Sequence, residues 1–124
     1  MIERYMKGKK ISVLEDDEGI LEVVEMILSA EGYEVDGFAC VNDFMIGNAT
    51  SIPDIYLLDV MLPDGDGLRI CNQLKNQPKT SHVPVVMMSA HADISIMMAQ
   101  CKADGFISKP FDLNHIINLV GSFR

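Results

Sequence analysis

The sequence has no tryptophan, three cysteines, and only ten lysines and arginines against eighteen aspartates and glutamates. The basic deficit leaves a formal charge of −8. That balance argues against holding nucleic acid or an anionic membrane through a broad basic surface. A cation or a basic partner surface suits it better. Cys40, Cys71 and Cys101 lie far apart with no Cys-x-x-Cys pair. An odd count without metal spacing reads as buried or idle thiols in a reducing compartment. No apolar run approaches the ~18 residues that a membrane span needs. The charged segment Met1–Lys10 lacks the apolar core of a signal peptide. Membrane insertion is therefore not expected, and a cytoplasmic location is. Repeats, low-complexity tracts and linkers are also missing.

What is present is ordinary globular composition, with 48% hydrophobic and 23% charged residues, which sets disorder aside. A length of 124 residues suits one domain with a self-sufficient core. We place that domain over 1–124, with its core at about 9–122 and a polar lead-in at 1–8.

Short apolar runs alternate with longer segments of helical period. Ile11–Leu14 reads as a strand, ended by the acidic run Glu15–Glu18. A helix follows with Ile20, Val24, Ile27 and Leu28 on one face, stopping at Gly32. Tyr33–Val35 is a weak, edge-like strand, and 41–49 a short helix with Asn42 as its N-cap. Ile55–Leu58 is the clearest strand, closed by Asp59 and followed by a turn over Met61–Gly67. The next helix, Leu68 to about Asn76, turns Ile70, Cys71 and Leu74 inward. Val83–Met88 reads as a strand with Pro84 near its start. A Met-rich helical segment covers 93–103, in which Met97 and Met98, like Met87 and Met88 on the strand, read as core filler. Phe106–Ser108 is a short strand, and Asp112 caps a last helix with Leu113, Ile116, Ile117 and Val120 on its buried face.

Five β–α units in succession result. Strands apolar on consecutive residues imply burial on both faces of a parallel sheet, hence a doubly wound α/β fold with helices on both faces. In such folds ligands bind beyond the carboxyl ends of the strands. The polar residues found there are Glu15 and Asp16, Asp59, Ser89 and Lys109. Each alone is commonly a turn, cap or solvated residue; it is their conjunction that carries meaning. Two carboxylates ~4 Å apart repel by about 4 kcal/mol at an effective dielectric of 20. A hard divalent cation relieves this, and an oxygen-only ligand set points to Mg²⁺, which also favours phosphate. Asp59 is then the candidate nucleophile, able to form an acyl phosphate. Lys109 would pair with one phosphoryl oxygen and Ser89 would donate to another. Phosphoryl transfer needs mostly positioning and charge neutralisation, so this small kit suffices.

The segments Val13–Asp17, Leu57–Gly67, Val85–Ala90 and Ala103–Phe111 resemble the receiver domains of response regulators in two-component signalling. The likeness covers about residues 9–122, with Ser89 and Lys109 standing 30 and 50 residues beyond Asp59. It implies a flavodoxin-like sheet of strand order 2-1-3-4-5. It implies Asp59 as phosphoacceptor, with Glu15, Asp16, Asp59 and the Met61 backbone carbonyl holding Mg²⁺. Ser89 and Lys109 match the hydroxyl and lysine of the site, Lys109–Pro110 would be a cis peptide, and Phe106 matches the switch aromatic. Ser89 stands where Thr is frequent, and Phe106 lacks the hydroxyl of the frequent Tyr. Met61 and His91 occupy the variable positions that modulate access of water to the phosphoryl group; by its residue type alone His91 is a rim side chain.

The implied partners are a sensor histidine kinase or phosphotransfer protein as donor, and a downstream target or an output domain absent from this chain. A phosphorylation-dependent homodimer also fits. The surface expected to switch comprises the 93–103 segment, the 106–108 strand and the last helix. The activity would be limited to self-phosphorylation and autodephosphorylation. No DNA-binding or catalytic module is expected within this chain, which is read as a stand-alone receiver or one excised from a larger regulator or hybrid kinase. A dehalogenase-like phosphatase would want a second Asp where Met61 stands. A flavin carrier would want a phosphate loop where the acidic run lies. A degenerate receiver serving only as a docking module is opposed by the complete residue set.

Overall fold

Runs of consecutive apolar residues become the central strands. The computed structural model describes residues 9–90, 99–110 and 112–123. Along the chain lie β1 (Lys10–Leu14), α1 (Glu18–Ala30), β2 (Glu34–Phe38), α2 (Val41–Thr50), β3 (Ile55–Asp59), β4 (Met61–Leu62) and β5 (Gly65–Asp66). These are followed by α3 (Gly67–Asn76), β6 (Val85–Ser89), β7 (Gly105–Ser108) and α4 (Leu113–Gly121). Five strands form one parallel sheet in the order β2-β1-β3-β6-β7. Counting only these five, the order is 2-1-3-4-5, the flavodoxin-like arrangement.

Side chains alternate across a strand, so each central strand feeds two cores. Ile11 and Val13, Ile55 and Leu57, and Val86 and Met88 pack against Val24 and Leu28 of α1 and Ile116 and Val120 of α4. Leu14, Tyr56 and Leu58, and Val85 and Met87 pack against Phe44 of α2 and Leu68, Ile70, Cys71 and Leu74 of α3. All residues of β3 and β6 are buried, as strands covered on both faces must be. Met87 and Met88 lie in the core; Met97 and Met98 fall outside the described residues. Cys71 and Cys101 are buried, Cys40 is half-buried, and none of the three is in a disulfide. Burial, with Cys101 alongside, pushes the Cys71 thiol up to about 12.

Several boundaries differ from the sequence reading. β2 runs from Glu34 to Phe38 rather than over Tyr33–Val35; as an edge strand with little buried, it carries no apolar run to mark its extent. β6 begins at Val85, after Pro84, whose nitrogen cannot donate to the ladder. Residues 93–98 of the Met-rich segment lie outside the described residues. Ala99 and Gln100 are helical, but 101–103 are not. There the chain turns toward β7, with the Asp104 amide donating to the Val85 carbonyl at 2.7 Å and its carboxylate accepting from the Val85 amide at 2.8 Å.

Leu113 is exposed rather than inward, because it opens the first turn of α4, while Ile116 and Val120 point to the core. Asp112 caps α4 by accepting from the Asn114 amide. Asn42 is not the N-cap of α2. That place falls to Cys40, whose side chain makes no capping bond. The Asp64 carboxylate, from a distant turn, accepts instead from the amides of Val41 at 2.9 Å and Asn42 at 3.1 Å. These bonds hold the Asp64 carboxyl below its ordinary pKa. The turn over Met61–Gly67 is itself a small antiparallel ribbon, with Met61 opposite Asp66 and Leu62 opposite Gly65.

Candidate functional site

Four parallel strands deliver polar groups to one end of the sheet. β1 ends at Leu14 and hands on Glu15 and Asp16; β3 ends in Asp59; β6 ends in Ser89; β7 leads into Lys109. Backbone bonds carry the sheet one residue further. The Glu15 amide donates to the Phe38 carbonyl at 3.0 Å, Val60 to Met88 at 3.0 Å, and Lys109 to Ser89 at 2.7 Å. The polar residues are thereby fixed by the same ladders that hold the core. Asp17 caps α1 through the Ile20 amide, which turns the chain away immediately after the acidic pair. At the other loop, a Cβ on Gly67 would collide with the Asp59 carbonyl oxygen, so only glycine lets α3 begin there.

Glu15, Asp16 and Asp59 each offer a carboxylate oxygen within 4.8 Å of the others. Glu15 is 0% exposed and Asp59 6%, whereas Asp16 faces solvent. The Lys109 ammonium donates to the Glu15 carboxylate and to Asp59 Oδ2 at 3.1 Å. Burial raises the Glu15 carboxyl from 4.5 to about 7; Lys109 works against that rise and neighbouring Asp59 adds to it. Burial also acts to lower the Lys109 pKa, but its bonds to Glu15 and Asp59 outweigh it and hold the ammonium above its ordinary value. The site is thus an acidic cluster with one fixed cation against it. Oxygen ligands from carboxylates, close enough to share one ion and partly open to water on the Asp16 side, match the chemistry of Mg²⁺.

Ser89 is buried at the same sheet end, and Phe106 is half-buried against the core shared with α2 and α3. Met87 pairs with Phe106 and Ser89 with Ser108, so Ser89 and Phe106 belong to the same face of adjacent strands. Lys109–Pro110 is cis. Met61 is exposed on β4. His91 lies outside the described residues. Sequence reasoning assigned Lys109 to a phosphoryl oxygen and missed its carboxylate partners. It also missed the ribbon and the Asp64 cap. The Pro63-Asp64 tip carried a turn signal, but nothing local could mark a cap 22 or 23 residues away.

A family model described as the response regulator receiver domain matches residues 11–121. The chain is 34% identical over 104 residues to the phosphate regulon transcriptional regulatory protein PhoB of Rhizobium meliloti, covering 82% of this chain and 46% of that protein. It is 38% identical over 106 residues to the response regulator PleD of Caulobacter vibrioides, covering 83% of this chain and 23% of that one. Among solved structures, the signal receiver domain of a signal transduction histidine kinase from Syntrophus aciditrophicus superposes with a TM-score of 0.87 at 26% identity, covering 94% of this chain and 89% of that one. The chain belongs to the response regulator receiver domain family, a class that serves two-component signalling. It spans about half of the first of these curated relatives and a quarter of the second. Among the described residues, no helix is long and apolar enough to cross a membrane.

Proposed function

We propose that this chain is a phosphoacceptor domain in which Asp59 receives a phosphoryl group from a phosphohistidine of a sensor kinase or phosphotransfer protein. The observation that carries this reading is the gathering of Glu15, Asp16 and Lys109 around the strand-end carboxylate of Asp59. A carboxylate oxygen of Asp59 forms the new P–O bond as the donor's P–N bond breaks, and the electron pair returns to the imidazole nitrogen. No net oxidation or reduction occurs.

Glu15, Asp16, Asp59 and the Met61 carbonyl would hold Mg²⁺, which when bound neutralises charge on the phosphoryl oxygens. Lys109 stays cationic because its two carboxylate contacts raise its pKa. It would exchange a carboxylate for a phosphoryl oxygen once Asp59 is modified. The Ser89 hydroxyl would donate to another phosphoryl oxygen, since both close the same sheet end. Drawing Ser89 toward Asp59 frees space on the face it shares with Phe106, whose inward rotation would alter the surface of β7, α4 and the 93–103 segment. Met61 and His91 would modulate the approach of water to the phosphoryl group.

An apolar cavity of about 340 Å³, lined by Asp17, Gly19, Ile20 and Val23, opens at the start of α1 just after the acidic pair. Val23 and Met26 are exposed on that helix and would offer an apolar shelf for a donor. The reading includes a single domain over 1–124, a cytoplasmic setting, and a downstream target, output domain or second copy that reads the switched surface. It gives the chain no turnover chemistry beyond phosphorylation and loss of its own phosphoryl group.

Beryllofluoride separates a working phosphoacceptor from a docking module. With Mg²⁺ present, a bound fluorine resonance and amide shifts around Asp59, Ser89 and Lys109 are expected. Absence of Mg²⁺-dependent binding would contradict the reading.

A further inference from the structure

Between Asp59 and α3 the chain does not simply turn; it forms a ribbon anchored at both ends. At its base, Gly67 lies so close to the Asp59 carbonyl that no Cβ fits, and its amide donates to the Val60 carbonyl at 2.8 Å. At its tip, Pro63 and Asp64 close the two-residue turn between β4 and β5. Gly65 lies against α2, where a Cβ would stand 2.9 Å from Val41 Cγ2. Both carboxylate oxygens of Asp64 are engaged, one by the Val41 amide and the other by the Asn42 amide. Helix α2 supplies no side-chain cap of its own. Its first amides therefore depend on a residue from the phosphoacceptor loop, and the loop depends on them.

We infer that Asp64 is a positioning residue that clamps the ribbon to the start of α2 and so fixes the Met61 segment beside Asp59. The inference rests on the phosphoacceptor reading above, in which the Met61 backbone carbonyl holds the metal. A side-chain ligand can adjust its rotamer, but a carbonyl ligand is only as well placed as its backbone. Met61 sits between the two anchors, so the placing of its backbone depends on the tip as well as on the base. An ordinary helix cap would serve α2 and nothing else; this one ties the loop that follows Asp59 to a neighbouring helix.

The test compares wild type, Asp64→Ala, Asp64→Asn and a control, Ile116→Val, on the opposite face of the sheet. Ile116, on α4, packs in the core shared with α1, away from α2 and the ribbon. Mg²⁺ affinity is read from amide shifts, labelling from the rate with acetyl phosphate, and stability from the melting temperature. Asp64→Ala should weaken Mg²⁺ binding about tenfold, the lower end of what losing an outer partner of a metal ligand costs. Its labelling rate should recover at saturating Mg²⁺. Asp64→Asn keeps one acceptor oxygen and should lose only about threefold, half the effect on a logarithmic scale. Should Asp64→Ala not fold, the Asn variant decides alone. Wild-type Mg²⁺ affinity in the Asp64 variants, or an equal loss in Ile116→Val, would overturn the inference by showing a cap that acts on stability only. A wild-type protein that binds Mg²⁺ but takes no phosphoryl group would instead overturn the phosphoacceptor reading, leaving the affinity comparison to judge the clamp.

Discussion

Glu15 makes the metal-free protein sensitive to pH in an unusual direction. Its carboxyl is 0% exposed, and burial lifts it from 4.5 to about 7. The folded state therefore holds a proton that the unfolded state releases. Stability is highest below the unfolded value, falls as pH rises from 4.5, and levels off above about 7. At 1.36 kcal/mol per unit, the full change is at most about 3 kcal/mol. For a domain of this size that corresponds to a fall in melting temperature of roughly 10 °C. Lys109 does not contribute within this window, because a raised ammonium pKa gives stability that is lost only above its ordinary value of 10.5. The assay is thermal unfolding in a chelator from pH 4.5 to 8, with wild type beside Glu15→Gln. Groups common to both proteins cancel in the difference. Wild type should lose stability relative to the variant as pH rises, and Mg²⁺, which favours the ionised carboxylate, should remove the loss. Parallel pH profiles for the two proteins would refute the reasoning.

Asp16→Asn should weaken Mg²⁺ binding more than Glu15→Gln, since Asp16 faces solvent and is free to ligate directly while Glu15 is buried against Lys109; the opposite order in an amide-shift titration would reverse the two roles. Ser89→Ala should still be phosphorylated on Asp59, with a smaller beryllofluoride-induced shift around Phe106. One hydrogen bond to a charged group contributes ~1.5–3 kcal/mol, whereas a full reversal from 1:99 to 99:1 needs about 5.5 kcal/mol. Relaxation dispersion over residues 90–112 would show this partial switch, and shifts confined to the Asp59 pocket would contradict it. Gly67→Ala should destabilise by about 1–3 kcal/mol or more in urea unfolding, because the new methyl meets backbone rather than a movable side chain; an unchanged midpoint would show that the loop accommodates it.

The parts of the fold that could be read from sequence are those whose cause is local. β3 and β6 announce themselves because strands buried on both faces must be apolar at successive positions. β2 does not, because an edge strand of Glu34, Val35, Asp36, Gly37 and Phe38 buries little. The helical period places Leu113 with Ile116 and Val120, yet the first residue of a helix can overhang the core it points toward. For the candidate site, the rule that ligands lie at strand ends singles out Glu15, Asp16, Asp59, Ser89 and Lys109, and the fold brings Glu15, Asp16, Asp59 and Lys109 together at that end. What it could not give was who pairs with whom. Lys109 finds Glu15 across 94 residues and Asp59 across 50, and Asp64 finds α2 across 22. Such pairings are decided by three-dimensional neighbours, for which a single sequence carries no period and no local signature.

The account stands or falls on Asp59. Incubation with Mg²⁺ and acetyl phosphate, followed by intact mass, should show one phosphoryl adduct that disappears in Asp59→Asn and on omission of Mg²⁺. An adduct that persists undiminished in Asp59→Asn, or no adduct on the wild-type chain, would contradict it.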